Sequence, residues 1–256
     1  MLERLTAFYE THGISAADFS CPSRAACSAR SPHFTEAKAS FVGPRYEDKT
    51  LPRLLFLSLD SGSGHQNPQC RTAQAVRVRE LARNVAALPK NRHWYRTHEM
   101  AWMLLRQFNA QLHVADTRLY FAHVNSAKCC QNKSGRQKAD SILFENCRRF
   151  IPGELRILNP DVIVTQGGPA KDAILKIFTV RQHVVRKIDS DARFRLDAHY
   201  ETGLIELKSD LKACLWLQTY HPNNFGSFNP QRAHCWPLYA DEVDRFWRSR
   251  NNGKGL

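Results

Sequence analysis

The stretch RLLFLSLDSGSGH (Arg53–His65) decides how this chain is read. Leu54, Leu55, Phe56 and Leu57 form an apolar run that breaks into small, turn-forming residues around Asp60. A short continuous apolar run bounded by turn residues fits a strand buried on both faces, the usual state of strands in parallel sheets. Open α/β sheets present their sites in loops at the carboxyl ends of such strands. Asp60 therefore stands where a site is expected, among neighbours too small to cover it.

Three other segments repeat the pattern. Arg118–Asn125 (RLYFAHVN), Ile157–Thr165 (ILNPDVIVT) and Ala213–Thr219 (ACLWLQT) each read as a strand. They lead to Asn125, to Gly167-Gly168 and to His221 respectively. Apolar spacing predicts helices over 2–13, 74–88, 100–112, 139–150, 170–178 and 241–248, with 184–207 a charged, alternating hairpin near a sheet edge. Residues 28–52 read mainly as coil, and PKNRHWYR (89–96) as a basic, aromatic connection. Strands alternating with helices predict a three-layer α/β/α sandwich with a mostly parallel central sheet. With no internal repeat and no long linker, residues 1–256 are expected to form one domain, the cysteine-bearing segment 1–50 packing on it.

Composition narrows the partners. The 256 residues are 43% hydrophobic and carry 37 Lys and Arg against 24 Asp and Glu, a net charge of +13 and a pI near 9.6. This excludes a disordered or low-complexity chain and favours an anionic partner, nucleic acid being the commonest. No apolar run approaches the ~18–20 residues that span a bilayer, so no membrane association is expected. MLERLTAFYETHG carries acids early and lacks a long apolar region, so a cytoplasmic location without a secretory leader is expected. In that compartment the eight cysteines are expected to bind metal or to be buried, not to form disulfides.

An Asp, an Asn and a His meeting at the ends of parallel strands suit cleavage of a bond to a heterocycle. A carboxylate can orient water and stabilise a cationic sugar, an amide can read a base edge, and an imidazole can stabilise a departing anion. VNSAKCC (Val124–Cys130), FENCRRF (Phe144–Phe150), NPDVIVTQGGPA (Asn159–Ala170) and TYHPNNF (Thr219–Phe225) occur in this order, preceded by CPSRAAC (Cys21–Cys27) and the strand–loop at Asp60. Together they resemble the iron–sulfur branch of the uracil-DNA glycosylase superfamily, over most of the chain from Cys21 to Phe225.

The resemblance implies that fold and a monofunctional DNA glycosylase acting as a monomer on DNA. It makes Asp60 the catalytic carboxylate, His221 the group that stabilises the leaving base, and Asn125 the reader of the base edge. Ser61, Gly62 and Tyr220 flank these residues and complete the expected base pocket. Gly167 and Gly168 would offer backbone N–H groups to a phosphate. Phe225 and Phe228, in the Gly-rich NFGSFNP stretch read as a loop, are candidates for an apolar wedge that holds the duplex open. Arg232, Lys133, Arg136 and Lys138 are candidate backbone contacts. No lysine stands in a motif that places it for a Schiff base, so no lyase step is expected.

The resemblance also implies a four-iron, four-sulfur (4Fe-4S) cluster on Cys21, Cys27, Cys147 and one of Cys129 and Cys130, Cys129 being the closer match. Thiolates are the usual ligands of such clusters. Here the first pair is C-x5-C, wider than the family's close pair, which leaves room for zinc or for no metal. Cys214 and Cys235 read as core residues.

Two departures bear on the substrate. The family's first motif begins with Gly-Glu and contains a proline, whereas this chain has Ser58-Leu59-Asp60-Ser61-Gly62. The aromatic residue that stacks on uracil has no counterpart around Asn67-Pro68-Gln69. Both tilt the expected substrate from uracil in repair to a modified pyrimidine marking foreign DNA, such as a glycosylated cytosine of phage DNA. The segment with His93, Trp94, Tyr95, Arg96, His98, Trp102 and Arg106 reads as an enlarged pocket, a DNA-backbone surface or a half-exposed helix and loop. Two rivals remain: a non-catalytic iron–sulfur module that binds nucleic acid, and an iron–sulfur nuclease or redox sensor.

Overall fold

The computed structural model describes residues 1–29, 34–62, 67–131, 139–188, 198–207 and 213–251. In chain order, α1 (Leu2–Thr11), α2 (Arg24–Ser28), β1 (Phe34–Thr35) and β2 (Phe41–Val42) precede β3 (Leu54–Asp60). Then come α3 (Ala73–Ala82), α4 (His93–Leu105), β4 (Phe121–Ala127), β5 (Cys130–Gln131), α5 (Ser141–Cys147) and α6 (Ile151–Leu158). The chain continues with β6 (Val162–Gln166), α7 (Gly168–Ile177), β7 (Val180–Ile188), β8 (Ala198–Glu206), β9 (Ala213–Thr219), α8 (Phe225–His234) and α9 (Trp236–Asn251).

Among the described residues, seven strands form one mixed sheet in the order β2-β4-β3-β6-β9-β8-β7. Its four inner strands β4, β3, β6 and β9 are parallel, whereas β2 joins one edge and the β7–β8 hairpin the other, both antiparallel. Side chains alternate across a strand, so Leu54 and Phe56 enter one hydrophobic cluster and Leu55 and Leu57 the other. The first cluster is completed by α4, α9, Val76 of α3 and Phe228 of α8; the second by α1, α5, α6 and α7. Helices thus cover both faces, and the α/β expectation holds at that level. Among the described residues no helix is long and apolar enough to cross a membrane.

Several boundaries differ from the sequence expectation. The third helix ends at Ala82, with a 3-10 turn at Val85–Ala87. The fourth starts at His93, inside the expected connection, and ends at Leu105. Its buried face includes Thr97 and His98, polar residues that apolar periodicity does not count. Strand β4 begins three residues late, after a 3-10 turn at Val114–Leu119, and runs two residues past Asn125, where Ala127 pairs with Asp60. Residues 157–158 end α6, and Asn159 caps it in the left-handed conformation (φ 45°) before β6, a role asparagine tolerates. The NFGSFNP stretch is the first part of α8, not a loop. The segment assigned to coil contains β2, whose two residues pair with Ala122 and His123.

Candidate functional site

The parallel register sets Ser58 beside Asn125 and Asp60 beside Ala127. On the neighbouring strands, β6 ends at Gln166 and β9 at Thr219, two residues before His221. One cavity of about 560 Å³ opens over these ends, and Asp60, Ser61, Gly62, Asn125 and His221 all line it. Lys38, Glu80, Arg83, His93, Trp94, His123 and Cys130 complete most of its wall. The triad expected from sequence therefore shares one site. Tyr220 does not line it: its amide donates to Gln231 Oε1 (2.8 Å), and its ring packs against the α4–α9 cluster.

Asp60 is held by its own turn. Gly62, at φ +65°, donates its backbone N–H to Asp60 Oδ1 (2.9 Å), a local turn that needs a residue at ease with positive φ. Ser61 Oγ accepts from Arg71 Nη2 (2.7 Å), and Arg71 is buried with its Nε donating to Ala37 O (3.3 Å). The Cys130 thiol stands beside Asp60; burial, then the Asp60 charge, pushes its pKa up to about 12. Cys130 is thus a protonated thiol near neutral pH, able to donate to the carboxylate and not to compete with it.

The cavity is also walled by imidazoles, those of His93, His123 and His221. His221 stacks on His93 with ring centroids 4.9 Å apart and planes within 8°. His93 Nε2 bonds Gln166 Oε1 (3.1 Å), an oxygen that also accepts from Ser58 Oγ (2.5 Å). Gln166 Nε2 donates to Thr97 Oγ1 (3.1 Å), which donates to His93 O (3.0 Å). His221 Nδ1 accepts from Asn223 N (3.2 Å), which leaves Nε2 as the N–H donor of the neutral ring. Burial, and secondarily His93, brings the pKa of His221 down to about 3; burial brings His93 down to about 4. Burial likewise lowers His123 well below the usual range.

These shifts predict a pH dependence of stability. An unfolded histidine titrates near about 6.5, whereas folded His93 stays neutral to about pH 4. Between these values the unfolded chain binds protons that the folded chain refuses, so stability is complete above the unfolded pKa and declines as pH falls. Urea titrations from neutral pH down should show this decline, and His93→Gln should make it shallower. An equally steep decline in the variant would remove His93 from the account.

No protein-family model matches the chain, and no curated protein matches it significantly. Its site is therefore read from its own geometry.

The remaining expected contacts divide. Gly167 (φ +97°) precedes α7, and a Cβ there would lie 3.1 Å from His221 Cβ and 3.3 Å from a Leu59 methyl. Its missing side chain makes room for His221. Gly168 faces open space. Phe228 is buried and meets Trp236 edge to face (5.3 Å), so it cannot be the expected DNA wedge. Phe225 is half-buried in the first turn of α8. Arg232 reaches Glu99 (3.4 Å), which also binds Arg96 (3.2 Å). Lys133, Arg136 and Lys138 lie outside the described residues. Of the basic aromatic segment, His93 and Trp94 line the cavity, whereas Trp102 and Arg106 line a separate groove against α9.

Cys21, Cys27, Cys129 and Cys147 line a second, small and apolar cavity with Ile14, Phe19, Phe34 and Phe150. Lys128 N donates to Cys147 Sγ (3.3 Å), Asn146 Nδ2 to Cys27 Sγ (3.3 Å), and Arg149 Nη2 lies 3.8 Å from Cys21 Sγ. Among the described residues, no three His, Cys, Asp or Glu side chains meet at the spacing of a single metal ion. Adjacent side chains diverge at the end of β4: Cys129 enters this cavity, and Cys130 the one with Asp60. Cys214 and Cys235 are buried in the core as expected.

Between the two cavities lies a buried ion pair that sequence reasoning missed. Lys128 Nζ donates to Glu154 Oε2 (2.5 Å) and to the backbone oxygen of Asn125 (2.6 Å). Glu154 Oε1 accepts from Tyr9 Oη (2.8 Å) and Ser40 Oγ (3.0 Å). The lysine was visible within VNSAKCC, but nothing in its spacing pairs it with Glu154. Arg71, Gln166 and Lys38 were missed for the same reason.

Proposed function

We propose that the chain is a DNA glycosylase of the uracil-DNA glycosylase type, which hydrolyses the N-glycosidic bond of an extruded, modified pyrimidine and leaves an abasic site. The observation that carries this reading is that Asp60, Asn125 and His221 line one cavity. The Asp60 carboxylate orients water toward C1′ and stabilises positive charge on the sugar as the bond breaks. The Asn125 amide pairs with the base edge. His221, neutral and with Nε2–H free to donate, stabilises the anion of the departing base, and His93 holds that ring flat. Extrusion costs a few kcal/mol, which a chain of net charge +13 offsets by phosphate contacts.

A modified base is favoured over uracil by the size and lining of the cavity. Cavities of about 300–1,000 Å³ accept drug-sized ligands, and this one adds Glu80, Arg83, Lys38 and Trp94 to the residues that would touch the pyrimidine. Hydroxyl groups of a sugar substituent would find donors and acceptors there. The test is incubation with uracil-containing, glucosylated-cytosine and unmodified duplexes, scored for alkali-labile sites. Sites only in the glucosylated duplex support the reading, and sites only in uracil DNA replace it with repair. Tight binding without any sites would make the chain a recognition module.

The same proposal assigns a 4Fe-4S cluster to Cys21, Cys27, Cys129 and Cys147. What supports this assignment is that the four cysteines line one small cavity, with N–H and guanidinium groups near three of their sulfurs, an environment suited to thiolates that share a cluster's charge. When bound, the cluster would tie the N-terminal segment to the end of β4 and to α5. Anaerobically purified Cys129→Ser should lose iron and visible absorbance, and Cys130→Ser should keep both. Loss in both variants, or in neither, would overturn the ligand set.

A further inference from the structure

Lys38 lines the cavity of Asp60, Asn125 and His221 but has no part in the hydrolysis described above. Its backbone is fixed: Lys38 N donates to Lys128 O (3.0 Å) and Ala39 N to Arg71 O (2.9 Å). Glu80, whose charge acts on Lys38, is ion-paired with Arg83 (2.9 Å) and Arg79 (3.6 Å) instead. The structure thus supplies a primary-amine side chain, anchored at its backbone, in the lining of the cavity that holds Asp60, Asn125 and His221.

We propose that Lys38 is the nucleophile of a second activity, a β-lyase step on the abasic sugar left in the cavity. This rests on the reading of the cavity as the place where the sugar C1′ lies. The Lys38 amine adds to the aldehyde carbon C1′ of the ring-opened sugar, and the carbinolamine loses water to give an iminium. The Asp60 carboxylate, on the wall of the same cavity, takes a C2′ proton. The electron pair forms the C2′=C3′ bond, and the C3′–O3′ bond breaks to release the 5′-phosphorylated strand. Water then hydrolyses the iminium and returns the amine. One water leaves, one enters, and nothing is oxidised or reduced.

The electrostatic setting agrees. Burial, with Arg79, Arg71 and Arg83, outweighs Glu80 and brings the Lys38 pKa down to about 8. The imidazoles facing it, His93 and His123, are held neutral by burial. Near neutral pH roughly a tenth of the amine is therefore unprotonated, where an ordinary surface lysine is almost wholly charged. The sequence expectation of a monofunctional enzyme followed from the absence of a lysine in a recognised motif. Lys38 lies in a segment read as coil and becomes visible only when β4 and Arg71 fix its position.

The test supplies the abasic site ready-made, so it does not depend on base release. The whole protein is incubated with a duplex carrying one natural abasic site, with sodium cyanoborohydride as the trap for an iminium. A parallel duplex carries a tetrahydrofuran site, which has no aldehyde. The expected result is a covalent adduct on the natural site only, mapped by mass spectrometry to Lys38 and forming faster as pH rises through about 8. Lys38→Arg, which keeps the charge, should lower the adduct by about tenfold or more, with folding checked by circular dichroism. No adduct, or one mapped to another lysine or to the N-terminus, would overturn the proposal. Wild-type adduct on abasic DNA without base release from any duplex would leave Lys38 standing and remove the glycosylase reading.

Discussion

Asp60→Asn should lower base release by about 10²–10⁴-fold, the usual contribution of a positioned acid–base group, while DNA binding is retained. Asparagine preserves the side-chain shape and still offers an oxygen to Gly62 N, which donates to Asp60 at 2.9 Å. What it removes is the negative charge that activates water and stabilises the sugar cation. His221→Ala should cost about 10²–10³-fold, the scale for loss of one donor to a developing anion. Because burial keeps His221 neutral down to about pH 3, the wild-type rate should show no acid limb from this ring between neutrality and pH 5. Single-turnover assays of both variants on the preferred duplex, beside binding isotherms, decide the point. Normal turnover in Asp60→Asn would remove the carboxylate from the mechanism.

The second large effect concerns stability. Glu154→Gln leaves the Lys128 ammonium buried at 2% side-chain exposure without its counter-charge, and breaking a buried pair on one side costs about 3–5 kcal/mol. Equilibrium unfolding in urea should register that loss. The double variant Lys128→Met/Glu154→Leu should recover part of it, since apolar residues of similar volume replace buried pairs at little cost. Recovery will be incomplete, because Tyr9 and Ser40 lose their acceptor and Asn125 O loses the Lys128 bond. A loss below about 1 kcal/mol in Glu154→Gln, the scale of an exposed pair, would mean that the two charges do not depend on each other.

The sheet was legible because its inner strands are long and apolar on both faces. Leu54–Leu57, Val162–Val164 and Leu215–Leu217 announce themselves, and their carboxyl ends give Asp60 and the approach to His221 directly. The antiparallel edge at Phe41–Val42 was hidden because two residues carry no period, and pairing with Ala122 and His123 defines it. The start of helix α4 does not show in the sequence because its first turns bury Thr97 and His98, whose partners His93 O and Trp94 O lie within the helix itself. Helix α8 resembles a loop in sequence because Gly226 and Pro230 mask the buried face formed by Phe228 and Gln231.

The site was legible to the same degree. Residues at strand ends were found, and His93 and Trp94 of α4 fall in the segment for which an enlarged pocket was one of three readings, whereas residues delivered by α6 and the segment before β2 were not found. His93 was visible only as part of a polar, aromatic stretch, and its stacking on His221 depends on where α4 begins. The resemblance favours Cys129 over Cys130, and the two side chains enter different cavities, Cys129 the one with Cys21, Cys27 and Cys147 and Cys130 the one with Asp60.

The most direct test is mass spectrometry of the small molecules and strands released when the protein meets a duplex carrying one glucosylated cytosine. Free modified base is expected in amounts equal to the abasic and strand-cleaved products combined, and Asp60→Asn should lower both together. Strand cleavage with the base still attached to its sugar, or tight binding with the duplex intact, would contradict the proposed hydrolysis.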